Sequence, residues 1–185
     1  MGRASIIAVP LVTPRELNQS GTGTTEVAFT SDGTVPVFLR LPSAGQLAEA
    51  NGTTTSMFKV RAWGRVTGGT TTNFTVQIHY HASATSATIT ASREIEGSGA
   101  QAVNSESGNW WIESLLTWDT TSNKLNGVGS SMVNRSVTTA AISDNEITSI
   151  DPDADDTNGF IVAGTFSAGN ASNKAVLDGF VLEEV

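Results

Sequence analysis

Few side chains in this sequence have the type and spacing that chemistry needs. His79 and His81 are the only two histidines and stand two apart in an alternating run, so both imidazoles project from one strand face. Two imidazoles can begin a metal site, but zinc needs a third ligand and an ordered outer shell, and the sequence names neither. The reading preferred for them is a polar outer strand face that happens to carry two histidines. Asp151, Asp153, Asp155 and Asp156, within the run from Asp151 to Gly159, form the richest set of oxygen ligands. Alternate carboxylates in a loop can wrap a hard cation, which makes calcium the one cofactor the sequence suggests. The EF-hand pattern fails: Asp156 stands where glycine is required, and Val162 stands where the bidentate glutamate belongs. The alternative is a solvated acidic loop at the tip of a sandwich. Glu113 and Asp119 share a strand face, but that spacing separates them by roughly 20 Å, too far for either geometry of glycoside hydrolysis. With no cysteine in the chain, disulfides, thiol catalysis and Cys-based zinc sites drop out. The expectation is a protein that is not an enzyme.

Binding chemistry is better represented. Lys59, Arg61, Trp63 and Arg65 alternate along one predicted strand and form a basic stripe with one aromatic, a face able to track a phosphate backbone. Pairing with carboxylates across strands, or docking on an acidic protein surface, accounts for it as well. The formal net charge of −8 argues against a dedicated nucleic-acid binder. Trp110, Ile112, Leu116 and Trp118 fall on one strand face and are assigned to the core. Trp111 points the other way and is the exposed anchor, able to meet a protein or a sugar ring. Lys59, Arg61, Trp63, Arg65 and Trp111 are therefore the candidate interface residues.

The elements that must position these residues are strands. Among 185 residues there are 45 Ser and Thr, 18 Gly and 12 Asn, with only 15% charged, a composition poor in helix formers and rich in β-branched and turn residues. The length suits one domain with a terminal extension. Residues 1–24, with Pro10 and Pro14, read as an extended arm that is an edge strand or lies on something else. Residues 25–185 read as a β-sandwich. Strands are expected at 26–30, 35–41, 57–66, 73–81, 110–119, 124–133, 135–142, 159–166 and 174–184, with one helix-like patch at 44–50. The strands at 57–66 and 73–81 are expected to form a hairpin over the turn Thr67-Gly-Gly-Thr70. The last strand alternates Val176, Phe180 and Leu182 against Ala175, Leu177 and Val181, so it is expected to be central and buried on both faces. About nine or ten strands without βαβ alternation, the last of them in mid-sheet, make a jelly roll the simplest architecture. Neither a transmembrane helix nor a signal peptide is read, so no membrane partner is expected. Charge is uneven: residues 1–70 carry +2 and residues 71–185 carry −10.

The stretch Phe58-Lys-Val-Arg-Ala-Trp-Gly-Arg-Val-Thr-Gly-Gly-Thr-Thr-Thr-Asn-Phe-Thr-Val76 resembles segments of small jelly-roll virion proteins of tailed bacteriophages, most of all capsid cement (decoration) proteins. So does the ending Phe166-Ser-Ala-Gly-Asn-Ala-Ser-Asn-Lys-Ala-Val-Leu-Asp-Gly-Phe-Val-Leu-Glu183. The resemblance runs as a pattern over residues 35–185. It implies a non-enzymatic homotrimer on the capsid surface of a virion, bound to the major capsid protein and holding adjacent capsomers together. The arm would then supply the capsid contact through Arg3, Ile6, Ile7, Val9 and Arg15. The alternative, from a different class, is a carbohydrate- or receptor-binding module of a tail fibre or spike, with Trp111 in a shallow groove.

Overall fold

The computed structural model describes residues 15–17, 25–30, 35–40, 55–81, 89, 94–105, 107–119, 124–133, 143–147 and 159–185. Among them are twelve strands and no helix: β1 (Arg15–Leu17), β2 (Val27–Ala28), β3 (Phe38–Arg40), β4 (Thr55–Thr67), β5 (Asn73–His81), β6 (Glu94–Gly97), β7 (Gln101–Ala102), β8 (Ser107–Asp119), β9 (Lys124–Val133), β10 (Ser143–Ile147), β11 (Gly159–Phe166) and β12 (Lys174–Glu184). The helix-like patch at 44–50, the strand expected at 135–142, the arm residues Arg3, Ile6, Ile7 and Val9, and Asp151, Asp153, Asp155 and Asp156 lie outside the described residues.

The strands form two antiparallel sheets packed face to face. The front sheet has the order β1-β12-β4-β8-β9-β10; the back sheet has β2-β11-β5-β6, with β3 also on β11 and β7 also on β5. This is an antiparallel β-sandwich of the jelly-roll kind. Period-two alternation supplies the two inner faces. Phe58, Val60, Ala62, Ile112, Leu116 and Trp118 from the front meet Phe74, Val76, Ile78, Tyr80, Phe160 and Val162 from the back in one buried core. At one end Phe29 stacks on Trp110 with centroids 5.6 Å apart, and Phe74 lies 4.9 Å from Phe166. Such pairs add about 0.5–1.5 kcal/mol beyond their buried area. The Trp110 indole N–H donates to the Arg65 carbonyl at 3.2 Å, so the ring is fixed as well as buried.

Two expectations need correction. The strands at 57–66 and 73–81 exist, but they do not form a hairpin: β4 lies in the front sheet and β5 in the back. The connection from Gly68 to Thr72 carries the chain from one sheet to the other, and the inward rows of the two strands bury each other across the core. The crossover is held by the Gly69 N–H donating to Asn173 Oδ1 at 2.9 Å and by the Ser105 N–H donating to the Gly69 carbonyl at 3.0 Å.

The second correction concerns β12, which is buried on both faces and flanked by β1 and β4. Its facing is not a simple alternation, because the register against β4 shifts between Leu177 and Gly179. A bulge gives two residues on one strand to one on its partner and so reverses side-chain parity. Ala175 and Leu177 consequently join Phe180 and Leu182 in the core, while Val176 and Val181 are buried on the outer side.

Candidate functional site

The candidate site is the outer face of the front sheet, where β4 pairs β12 on one side and β8 on the other. Register places side chains in rows across these strands. One row runs Gly179, Trp63, Trp111, Met132; the next runs Val181, Arg61, Glu113, Ser130; the third runs Glu183, Lys59, Leu115, Val128. All five candidate interface residues, Lys59, Arg61, Trp63, Arg65 and Trp111, are brought onto this one face. Trp63 is 40% exposed and Trp111 is half-buried, whereas Trp110 and Trp118 are in the core, as their facing predicts.

Each cation of the stripe meets a carboxylate. Lys59 Nζ lies 3.0 Å from Glu113 Oε2, and Arg61 Nη2 donates to Glu183 Oε1 at 2.6 Å. Arg65 grips Asp178 with two hydrogen bonds, Nε to Oδ2 at 2.8 Å and Nη2 to Oδ1 at 2.7 Å. Asp178 is at the bulge of β12, which sets it beside the guanidinium. Cross-strand pairing with carboxylates, one of the readings open for the stripe, is thus present at all three cations.

The bulge also shapes the aromatic row. A side chain on Gly179 would collide with the six-membered ring of Trp63, so the indole lies over the bare glycine backbone. Leaning that way, Trp63 leaves a cleft of about 200 Å³ lined by Arg61, Ala62, Trp63, Trp111, Ile112 and Glu113. A second cleft of about 460 Å³ lies beside it, lined by Lys59, Glu113, Leu115, Val128, Gly129, Ser130 and Val185. Glu113 belongs to both. The exposed large apolar side chains Met57, Leu115, Val128 and Val185 gather toward this second end.

The back sheet is different. His79 and His81 do not lie on an exposed polar face: His79 is 1% exposed and His81 is also buried. The outer side of β11 is closed too, with Ile161 and Ala163 buried. His79 Nε2 is 2.7 Å from Glu26 Oε1, and Phe38 packs edge-on against His81. The Glu26–His79 contact joins the segment before β2 to β5 across β11, which separates them in the sheet. Among the described residues no cluster of three His, Cys, Asp or Glu can hold a metal ion. Arg15 lies in β1, opposite Leu177 of β12, so this part of the arm is an edge strand of the front sheet.

Glu183, Asp178, Gly179 and Glu26 are the residues that sequence reasoning does not single out. The carboxylates pair with residues 53 to 122 positions away, a separation at which no local spacing marks a partner.

No family model matches the chain, and no curated protein does. Solved structures with a similar strand arrangement include lectin I-B4 from Griffonia simplicifolia in its metal-free form, at 9% identity, 96% of this chain, 100% of that one and a TM-score of 0.38. Peanut lectin bound to a nine-residue peptide is similar at 6% identity, 96% and 98% coverage and a TM-score of 0.38. The CBM2 module of the evolved Dit of Lactobacillus casei BL23 phage J-1 is similar at 8% identity, 97% and 95% coverage and a TM-score of 0.37. The fold assignment rests on the topology above, not on these likenesses.

Proposed function

We propose that this chain is a non-catalytic carbohydrate-binding β-sandwich module whose binding face is the outer surface of the front sheet. The observation that carries this reading is the pair of solvent-facing indoles, Trp63 and Trp111, placed side by side on paired strands with a cleft at their bases. The C–H face of a sugar ring is apolar and slightly electropositive, and it matches the electron-rich face of an indole. Arg61 and Glu113 line the same cleft and offer donors and acceptors to hydroxyl groups. Strand-borne side chains hold such a geometry more rigidly than loop-borne ones. Glu113, Asp178 and Glu183 are each engaged by a cation, an arrangement that fixes side chains rather than one that moves protons. A glycan array probed with the wild-type protein and with Trp63→Ala and Trp111→Ala tests the proposal. Binding that disappears in both variants while the circular dichroism is unchanged supports it; no binding by the wild type contradicts it.

A second reading is favoured by the exposed apolar residues Met57, Leu115, Val128 and Val185 on the same face. Contiguous apolar surface of this kind is what a protein contact covers. In that reading the chain is a capsid decoration protein, a homotrimer on the virion surface bound to the major capsid protein, with the arm from Arg3 to Arg15 as the docking segment. Light scattering for a trimer, and co-sedimentation with capsids before and after deletion of residues 1–20, test it. Undiminished binding of the truncated protein would remove the arm from the account.

A further inference from the structure

The charges lining the two clefts and the residue the clefts share bear on what kind of glycan fits. Arg61, Glu113 and Lys59 are the charged residues in the two linings. Lys59 is paired to Glu113, and Arg61 is paired to Glu183 just outside. With Glu183 counted beside the lining, two cations meet two carboxylates, so the groove and its edge carry no net excess of cations. An anionic ligand would have to break one of these pairs or approach its carboxylate, and like charges at close range are repelled. The whole chain carries −8, which adds to that repulsion.

The size and adjacency of the two clefts point to a chain of small rings. The cleft between the indoles, about 200 Å³, is smaller than the roughly 300–1,000 Å³ of pockets that hold drug-sized ligands, so it suits a single ring. The second cleft lies next to it along β8, where Trp111, Glu113 and Leu115 follow one another on the outer face, and Glu113 lines both. Its lining alternates apolar Leu115 and Val128 with polar Ser130, Glu113 and Lys59. A sugar ring, with its apolar C–H faces and hydroxyl rim, has that same mixture.

Resting on the carbohydrate-binding reading, we propose that the groove takes an uncharged glycan chain of at least two sugar units, running along β8 from the Trp63–Trp111 cleft into the Leu115–Val128 cleft. Trp63 and Trp111 hold one ring. The Lys59–Glu113 pair presents hydroxyl partners at the junction. Leu115 and Val128 receive the next ring.

Calorimetric titration with neutral glucose- and galactose-based oligosaccharides of one, two, four and six units, and with polygalacturonate and heparin, tests this. Affinity for one neutral series should rise about tenfold from one unit to four and change less than about twofold between low and high salt. Trp111→Ala should weaken every length. Leu115→Asp, a change at an exposed position, should cost about tenfold on the four-unit ligand and leave the one-unit ligand unaffected. Salt-sensitive binding of the polyanions alone, or affinity independent of chain length, overturns this inference while leaving a carbohydrate-binding module standing. If no glycan of any kind binds, both fall. If Leu115→Asp instead dissociates an oligomer in light scattering, the apolar end is a protein contact and the inference is wrong.

Discussion

The outward halves of β4 and β5 read alike in sequence, each alternating polar or charged residues with a core row, yet they end in opposite environments. On β4, Met57, Trp63 and Arg65 are exposed and Lys59 and Arg61 half-buried. On β5 the outward residues pass from half-buried Asn73, Thr75 and Gln77 to buried His79 and His81. Alternation identifies the side that faces the other sheet, but it does not say whether the remaining side meets water. The front face keeps its charges in exchangeable surface pairs around two accessible indoles. The back face encloses the His79–Glu26 contact. An open, charged face and a buried layer thus share one sequence pattern.

Substitutions can break or sharpen this contrast. The largest effect belongs to the core both sheets share: Trp110→Ala should cost about 3–5 kcal/mol in denaturant unfolding, because the ring packs on Phe29 and Phe74 and its N–H is engaged. Next comes the back-sheet contact. Glu26→Ala removes the partner of a buried imidazole and should cost about 1–3 kcal/mol, while Glu26→Gln, which keeps an acceptor, should recover part of it. If Glu26→Ala proves neutral, the enclosed character of the back face is wrong. On the front face, Gly179→Ala should displace the Trp63 indole, shift its fluorescence emission and weaken glycan binding, with far-ultraviolet circular dichroism preserved. The smallest effect is expected from Arg65→Ala. Its bidentate pair with Asp178 is exposed, and such pairs contribute at most about 1 kcal/mol, so unfolding should move little.

Much of the fold is legible in the chain. The rows Phe58, Val60, Ala62 and Phe74, Val76, Ile78, Tyr80 mark inner faces, and Trp110 with Trp118 against Trp111 sorts core from surface. What stays hidden is non-local. Nothing near Thr67–Thr72 says that the two strands it joins belong to different sheets, since a sheet crossover and a hairpin both need a short glycine-containing connection. The bulge at Asp178 is equally silent, yet it reverses the facing of Val176, aims a carboxylate at Arg65 and leaves Gly179 beneath Trp63. The stripe Lys59, Arg61, Trp63, Arg65 is visible as a stripe. Its neutralisation by Glu113, Asp178 and Glu183 depends on register alone. Burial of His79 depends on what packs over β5, which alternation does not encode.

The account turns on Trp111 and its neighbour Trp63, and one titration addresses it directly. Neutral four-unit oligosaccharides from the array are added to the wild-type protein and to Trp111→Ala, with tryptophan fluorescence and heat recorded in parallel. The account predicts saturable wild-type binding, and an affinity at least about tenfold lower in the variant, whose thermal unfolding is unchanged. Equal affinity of the two proteins would contradict it, as would a wild-type protein that binds none of these ligands.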